Sequence, residues 1–179
     1  LRNSIILATN KIDVLDPALV SRFERIDLSL YSDDEMEQIL FQGLENKGIT
    51  FNENTLRKIA ECNPGSARDV VHWINAVLRY LSIEGKKSVN KSDVAAIVKQ
   101  RETFPLGVTK GELNTLLLLE KCGDMQLKML AARNLCSSKE QNANELYLFQ
   151  RGLMTIDVVR KLTQDGRKYL GELRADGFI

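Results

Sequence analysis

The sequence predicts a mainly α-helical chain: a small four-helix bundle, then three more helices, a short β-hairpin and a closing helix. Three observations carry the prediction. Apolar residues recur at three- and four-residue spacing in four segments between residues 29 and 100. A Pro- and Gly-bearing stretch, RETFPLGV (101–108), then interrupts the pattern and reads as a linker. Beyond it the order is helix, helix, helix, strand, strand, helix, which is that of a winged helix-turn-helix with a small hairpin wing.

The elements follow in order. Ser4 to Ala8 is a short apolar run with Ile5 and Ile6 at its centre, and it reads as a fully buried strand. DPALVSRF reads as a short helix, with Asp16 as N-cap and Pro17 in the first turn. Ile26 to Leu30 reads as extended. Ser32 with Glu35 is a capping-box pattern that starts a helix to about Asn46, with Met36, Ile39, Leu40 and Leu44 on one face. A second helix covers Asn52 to Cys62, and Asn63-Pro64-Gly65 breaks it. A third runs from Ser66 to about Ile83, with Val70, Trp73, Ile74, Val77, Leu78 and Leu81 facing inward. The fourth starts at Asn90 or Lys91 and buries Val94, Ile97 and Val98.

In the second half, helices are predicted over Thr109–Lys121, Asp124–Arg133 and Ser137 or Ser138 to Arg151. The last of these offers Ala143, Leu146, Tyr147 and Phe149 to a core. Leu153–Ile156 and Val158–Leu162 form the hairpin, and Thr163 or Asp165 opens the final helix through Tyr169 and Leu170.

Composition narrows the function. The net charge is +1 over 179 residues, so nucleic-acid binding requires a local basic patch. Three cysteines, Cys62, Cys122 and Cys136, stand far apart, which fits a reducing, cytoplasmic setting without a disulfide framework. The single histidine, His72, excludes a histidine metal cluster and reads as a partly exposed helix residue. No apolar run approaches the roughly 20 residues that span a bilayer. The chain opens without Met directly on an apolar run, which implies the C-terminal part of a larger protein.

SIILATNKIDVLDPALVSRF (4–23) resembles the sensor 1 to arginine-finger segment of AAA+ ATPases. The resemblance places Asn10 as the sensor 1 residue that orients the attacking water, with Thr9 beside it. It makes Arg22 the arginine finger acting on the neighbouring subunit's nucleotide, with Arg25 as the substitute. The underlying chemistry is phosphoryl transfer, in which the protein mainly positions groups and places charge. NPGSARDV (63–70) resembles the sensor 2 motif of the AAA+ lid, with Gly65 at the tight turn and Arg68 reaching the subunit's own γ-phosphate.

A lid followed directly by a winged helix resembles the RuvB family of Holliday-junction motors. ELNTLLLLEKCGDMQLKMLA, NELYLFQRGLM and TQDGRKYL carry that likeness. The family usually has Thr at sensor 1 and Pro before the sensor 2 Arg; here the residues are Asn10 and Ala67. The wing, Ile156 to Lys161, is shorter and less Arg-rich than the family's. The resemblance implies three parts: 1–28, the end of the ATPase core; 29–104, the helical lid; and 105–179, the winged helix. It also implies a homo-hexameric parent that uses ATP and Mg and acts on DNA, a four-way junction or duplex. There is no GxxxxGK(S/T) loop in the sequence, so this chain alone is expected to take no cofactor and to hydrolyse no ATP. An unpaired N-terminal strand edge predicts dimerisation of the fragment.

Residues 107–179 hold 11 Lys and Arg against 9 Asp and Glu. Arg160, Lys161, Arg167 and Lys168 lie on or beside the wing and are expected to form a phosphate-binding patch. Lys139, Gln141 and Asn142 on the third helix are expected to meet a groove. Two other readings stay open. One is an AAA+ loader or remodeller whose winged helix binds protein; the other is a non-enzymatic winged-helix DNA-binding regulator.

Overall fold

The computed structural model describes residues 4–29, 31–63 and 66–179. The chain divides into two units, residues 1–30 and 31–179. The first holds a 3-10 turn at Ile12–Val14 and the single-turn helix α1, Pro17–Val20. Asp16 caps α1, its Oδ1 accepting from the Ala18 N–H at 2.7 Å. Residues 4–8 are not a strand. They are exposed, and so is most of Ile26 to Ser29, which adopts no strand either. A strand is made by its neighbours' ladder, and the described residues of this unit supply none.

The second unit begins with four helices: α2 (Asp33–Glu45), α3 (Glu53–Glu61), α4 (Ala67–Glu84) and α5 (Lys91–Arg101). Their starts are fixed locally. Ser32 and Glu35 close a reciprocal capping box on α2, and Asn90 and Asp93 close one on α5. Asn52 Oδ1 accepts from the Thr55 N–H at 2.8 Å. Gly85 ends α4 in the left-handed region at φ 65°, where a Cβ is costly. Met36, Leu40 and Leu44 of α2 and Val70, Trp73, Val77 and Leu81 of α4 are buried, with α3 and α5 adding Leu56, Ile59, Val94, Ile97 and Val98.

The predicted linker is instead part of the packed structure. Strand β1 (Thr103–Phe104) pairs antiparallel with β2 (Val108–Thr109) across a tight turn. Phe104 and Val108 are buried. Two tyrosines from the second half clamp the turn: Tyr169 Oη donates to the Pro105 carbonyl at 2.8 Å and Tyr147 Oη to that of Leu106 at 2.6 Å. Apolar residues that read as spacer are therefore held by partners some 40 to 60 positions away in sequence, as the separations of 41 and 64 record.

Three helices follow: α6 (Lys110–Cys122), α7 (Leu127–Arg133) and α8 (Ser138–Gln150). Strands β3 (Met154–Ile156) and β4 (Arg160–Leu162) then form the wing, and α9 (Gln164–Ala175) closes the chain. The register pairs Met154 with Leu162, Thr155 with Lys161 and Ile156 with Arg160. Helix α7 starts at Leu127 rather than Asp124, because Met125 exchanges two backbone hydrogen bonds with Arg160, at 3.1 and 2.7 Å. The segment before α7 is thus extended along the wing. Gly166 lets α9 lie directly on the chain at Leu153: a Cβ there would sit 2.2 Å from the Leu153 carbonyl oxygen.

The end of α9 is tied to the bundle. Asp176 stands between Lys58 of α3 and Lys91 of α5, with both ammonium groups at 2.9 Å. Burial pushes the Asp176 carboxyl up, but the hydrogen bonds from Lys91 and Lys58 outweigh it and hold the group below its ordinary value of 3.8. A depressed folded-state pKa contributes stability above the ordinary value and loses it as pH falls through the folded one. Asp176→Asn is therefore expected to cost about 1–2 kcal/mol at neutral pH. The difference from wild type should shrink as pH drops below 3.8, which thermal melts over a pH series will read.

Candidate functional site

Arg68 lies in the first turn of α4 and is exposed, with no ion pair among the described residues. Just before the helix the Ser66 N–H donates to Asn63 Oδ1 at 3.3 Å. Gly65, assigned to the same motif, lies outside the described residues. Further along α4, Arg101 from the end of α5 braces the helix. Its guanidinium sits 4.6 Å from the Trp73 ring centroid and its Nη1 donates to the His72 carbonyl at 3.3 Å. Burial lowers the Arg101 pKa, partly offset by the Asp69 carboxylate. Trp73 is thus core, as its place on the apolar stripe implies, and His72 is exposed. Cys62 is a packing residue: its Sγ donates to the Lys58 carbonyl at 3.2 Å, and burial pushes its thiol well above the usual range.

In the first unit Asn10 and Thr9 are exposed, and Thr9 Oγ1 accepts from the Lys11 N–H at 3.0 Å. Arg22 is exposed just past α1. The substitute, Arg25, is engaged with Asp27 at 2.8 Å. Of the two arginines, Arg22 is the one without an ion pair among the described residues.

The winged helix departs most from the sequence reading at α8. Its inward face is Gln141, Glu145 and Leu148, at i, i+4 and i+7. Leu146 and Phe149, offered to the core by the sequence, are 54% and 49% exposed; Ala143 is exposed and Tyr147 half-buried. Glu145 is 1% exposed, and Arg160, 13% exposed, reaches it from β4 with Nε at 2.8 Å. Glu145 Oε1 accepts from Gln141 Nε2 at 3.2 Å, and the same Nε2 lies 3.1 Å from Thr115 Oγ1 on α6. Asn134 Nδ2, in the turn between α7 and α8, donates to both Thr115 Oγ1 at 2.9 Å and Gln141 Oε1 at 2.8 Å. One hydrogen-bonded chain therefore joins α6, the helix-turn-helix turn, α8 and the wing. A buried carboxylate is costly unless it is paired and hydrogen-bonded, and here it is both.

Two expected DNA contacts are corrected by this network. Gln141 is fully buried, so it has no face for a groove. Arg160 spends its charge on Glu145 and is unavailable to a phosphate. Glu145 itself was not legible as a structural hub. Its signal is the polar pair at positions 141 and 145 ahead of Leu148, which marks a helix face if a cation arrives from elsewhere.

Of the remaining predicted residues, Lys139, Asn142, Lys161, Arg167 and Lys168 are exposed. Lys161 leans on Asp124 at 3.0 Å and Lys168 on Glu172 at 3.8 Å; these are exposed pairs, readily exchanged for a phosphate. Among the described residues no cluster of three or more His, Cys, Asp or Glu could hold a metal ion, and no helix is long and apolar enough to cross a membrane.

This architecture, a helical bundle joined through an ordered turn to a winged helix-turn-helix, has counterparts among solved structures. No protein-family profile and no curated protein matches the chain. The Holliday-junction branch migration motor RuvB of Thermotoga maritima aligns with a TM-score of 0.58 at 21% identity. The match covers 89% of this chain and 55% of RuvB. Point mutants of the same RuvB give the same TM-score at 20–21% identity. The chain therefore has the fold of the matched part of RuvB and spans about half of that protein's length.

Proposed function

We propose that the chain is the C-terminal part of a RuvB-like AAA+ ATPase, a homo-hexameric motor that moves DNA junctions. Residues 1–28 end the ATPase core, 29–104 form the lid and 105–179 the winged helix. Arg68 is the sensor 2 residue and Arg22 the finger offered to the neighbouring subunit, with Asn10 and Thr9 at the sensor 1 position. ATP and Mg bind the full-length protein, whose phosphate cradle lies outside this sequence. The observation that carries the reading is Arg68, exposed and without an ion pair among the described residues, in the first turn of a helix that Arg101 braces at His72 and Trp73, within a fold shared with RuvB. A guanidinium exposed in the first turn of a helix, with no ion pair among the described residues, is available for a ligand anion.

DNA contact in this reading falls to Lys161, Arg167 and Lys168, with Lys139 and Asn142 at the start of α8. Such phosphate contacts position a motor without reading sequence. The reading is tested in the full-length protein by Arg68→Ala. Removing one fixed donor from developing charge is expected to lower ATP turnover by about 10²-fold or more. Because Arg68 is exposed, the melting midpoint should hold. Unchanged turnover would overturn the assignment. The loader or remodeller reading is favoured by one observation, the apolar outward face of α8.

A further inference from the structure

Helix α8 carries polar side chains on its buried face beside Leu148 and apolar ones on its outward face. It buries Gln141 and Glu145 and turns Ala143, Leu146 and Phe149 to solvent. The buried polar pair is satisfied by its partners, but exposing two large apolar side chains on one face gives the fold nothing and marks a surface that a partner can cover. Places where local rules fail in a folded protein tend to be functional. The turn before α8 repeats the pattern: Leu135 is 93% exposed and adopts φ 54°, a left-handed conformation that glycine or asparagine would take at lower cost. Met129 of α7 is also exposed.

The occupant follows from charge. Between Leu127 and Arg151 the exposed charges are Lys128, Arg133, Lys139 and Arg151 against Glu140 alone, since Glu145 is buried on Arg160. A second copy of this chain would bring a like-charged rim and be repelled. DNA offers phosphates to the cations but almost nothing to Leu146 and Phe149, because groove edges are hydrogen-bonding groups broken only by thymine methyls. An amphipathic helix with an apolar stripe between acidic flanks satisfies both. We propose that the outward face of α8, with the Leu135 turn, docks an acidic amphipathic helix of another protein. The face includes neither Arg22 nor Arg68, so it stands apart from the nucleotide reading; it does share a stripe with Lys139 and Asn142, so a docked helix and DNA would compete for those two residues.

The test uses this chain and three fluorescent probes: a synthetic helix with Leu at i, i+3, i+4 and i+7 and Glu elsewhere, the same helix with Lys for Glu, and duplex DNA. The acidic helix is expected to bind with micromolar affinity and the Lys version not to bind. The double variant Leu146→Ala, Phe149→Ala should weaken the acidic helix about tenfold, the scale of losing buried anchors. It should leave duplex affinity within about twofold, as phosphate contacts alone would. Both side chains are about half exposed, so the melting midpoint is expected to hold. Three results overturn the proposal: no binding of the acidic helix, equal binding by the variant, or duplex affinity falling with the variant, which would assign the face to DNA.

Discussion

Glu145→Ala is expected to cost about 3–5 kcal/mol, the scale of breaking a buried ion pair from one side. In a chain of this size that lowers the melting midpoint by about 10 °C or more. The cost is less the lost attraction than what remains. Arg160, only 13% exposed, would keep a full charge with its carboxylate gone, and Gln141 Nε2 would lose an acceptor. The damage should be local first. Met125 and Arg160 share the backbone bonds that seat the wing, so hydrogen exchange is expected to rise at β4 and at Met125 before it rises in the bundle. Replacing both partners, Glu145→Leu with Arg160→Met, should be much closer to wild type, because a buried pair exchanged for apolar groups is often neutral. Chemical denaturation of the two variants decides it. A single substitution costing less than about 1 kcal/mol would mean the pair is hydrated and the network unimportant.

Arg22→Ala in the full-length protein is expected to lower ATP turnover by about 10³-fold or more, the smaller end of what an arginine finger supplies. The effect rests on charge placed where it develops, so Arg22→Lys should recover little: an ammonium cannot reproduce the planar fork of a guanidinium. Arg25→Ala should be nearly silent, since Arg25 is already committed to an exposed pair with Asp27.

Much of the fold was legible because its signals are local. Ser32 with Glu35 was read as a capping box, and Asn90 and Thr109, read only as helix starts, close two more with Asp93 and Glu112, all within four residues of chain. Trp73 and the α4 stripe were legible for the same reason, one helix period at a time. The misses were all non-local. Residues 4–8 have the composition of a strand, but a strand exists only with a partner. The linker read as a spacer because its anchors, Tyr147 and Tyr169, come from α8 and α9. Helix α8 offered two stripes, and the apolar one looked like the core face. The polar stripe went inside because Arg160, 15 positions beyond Glu145 and on another element, neutralises the carboxylate. Among the candidate residues, Arg68 and Arg22 are exposed with no ion pair among the described residues, while Gln141 and Arg160 are buried or engaged in the network around Glu145.

In the proposed motor Arg68 serves its own subunit's nucleotide and Arg22 the neighbour's. Mixing full-length Arg22→Ala subunits with Arg68→Ala subunits tests it in one assay of ATP turnover. An Arg22→Ala subunit keeps its Arg68, and an Arg68→Ala neighbour can lend it an intact Arg22. In an equal, randomly assembled ring about one quarter of the interfaces then carry both arginines, so the mixture should regain about a quarter of wild-type turnover. A mixture no more active than the average of the two inactive proteins would contradict the account.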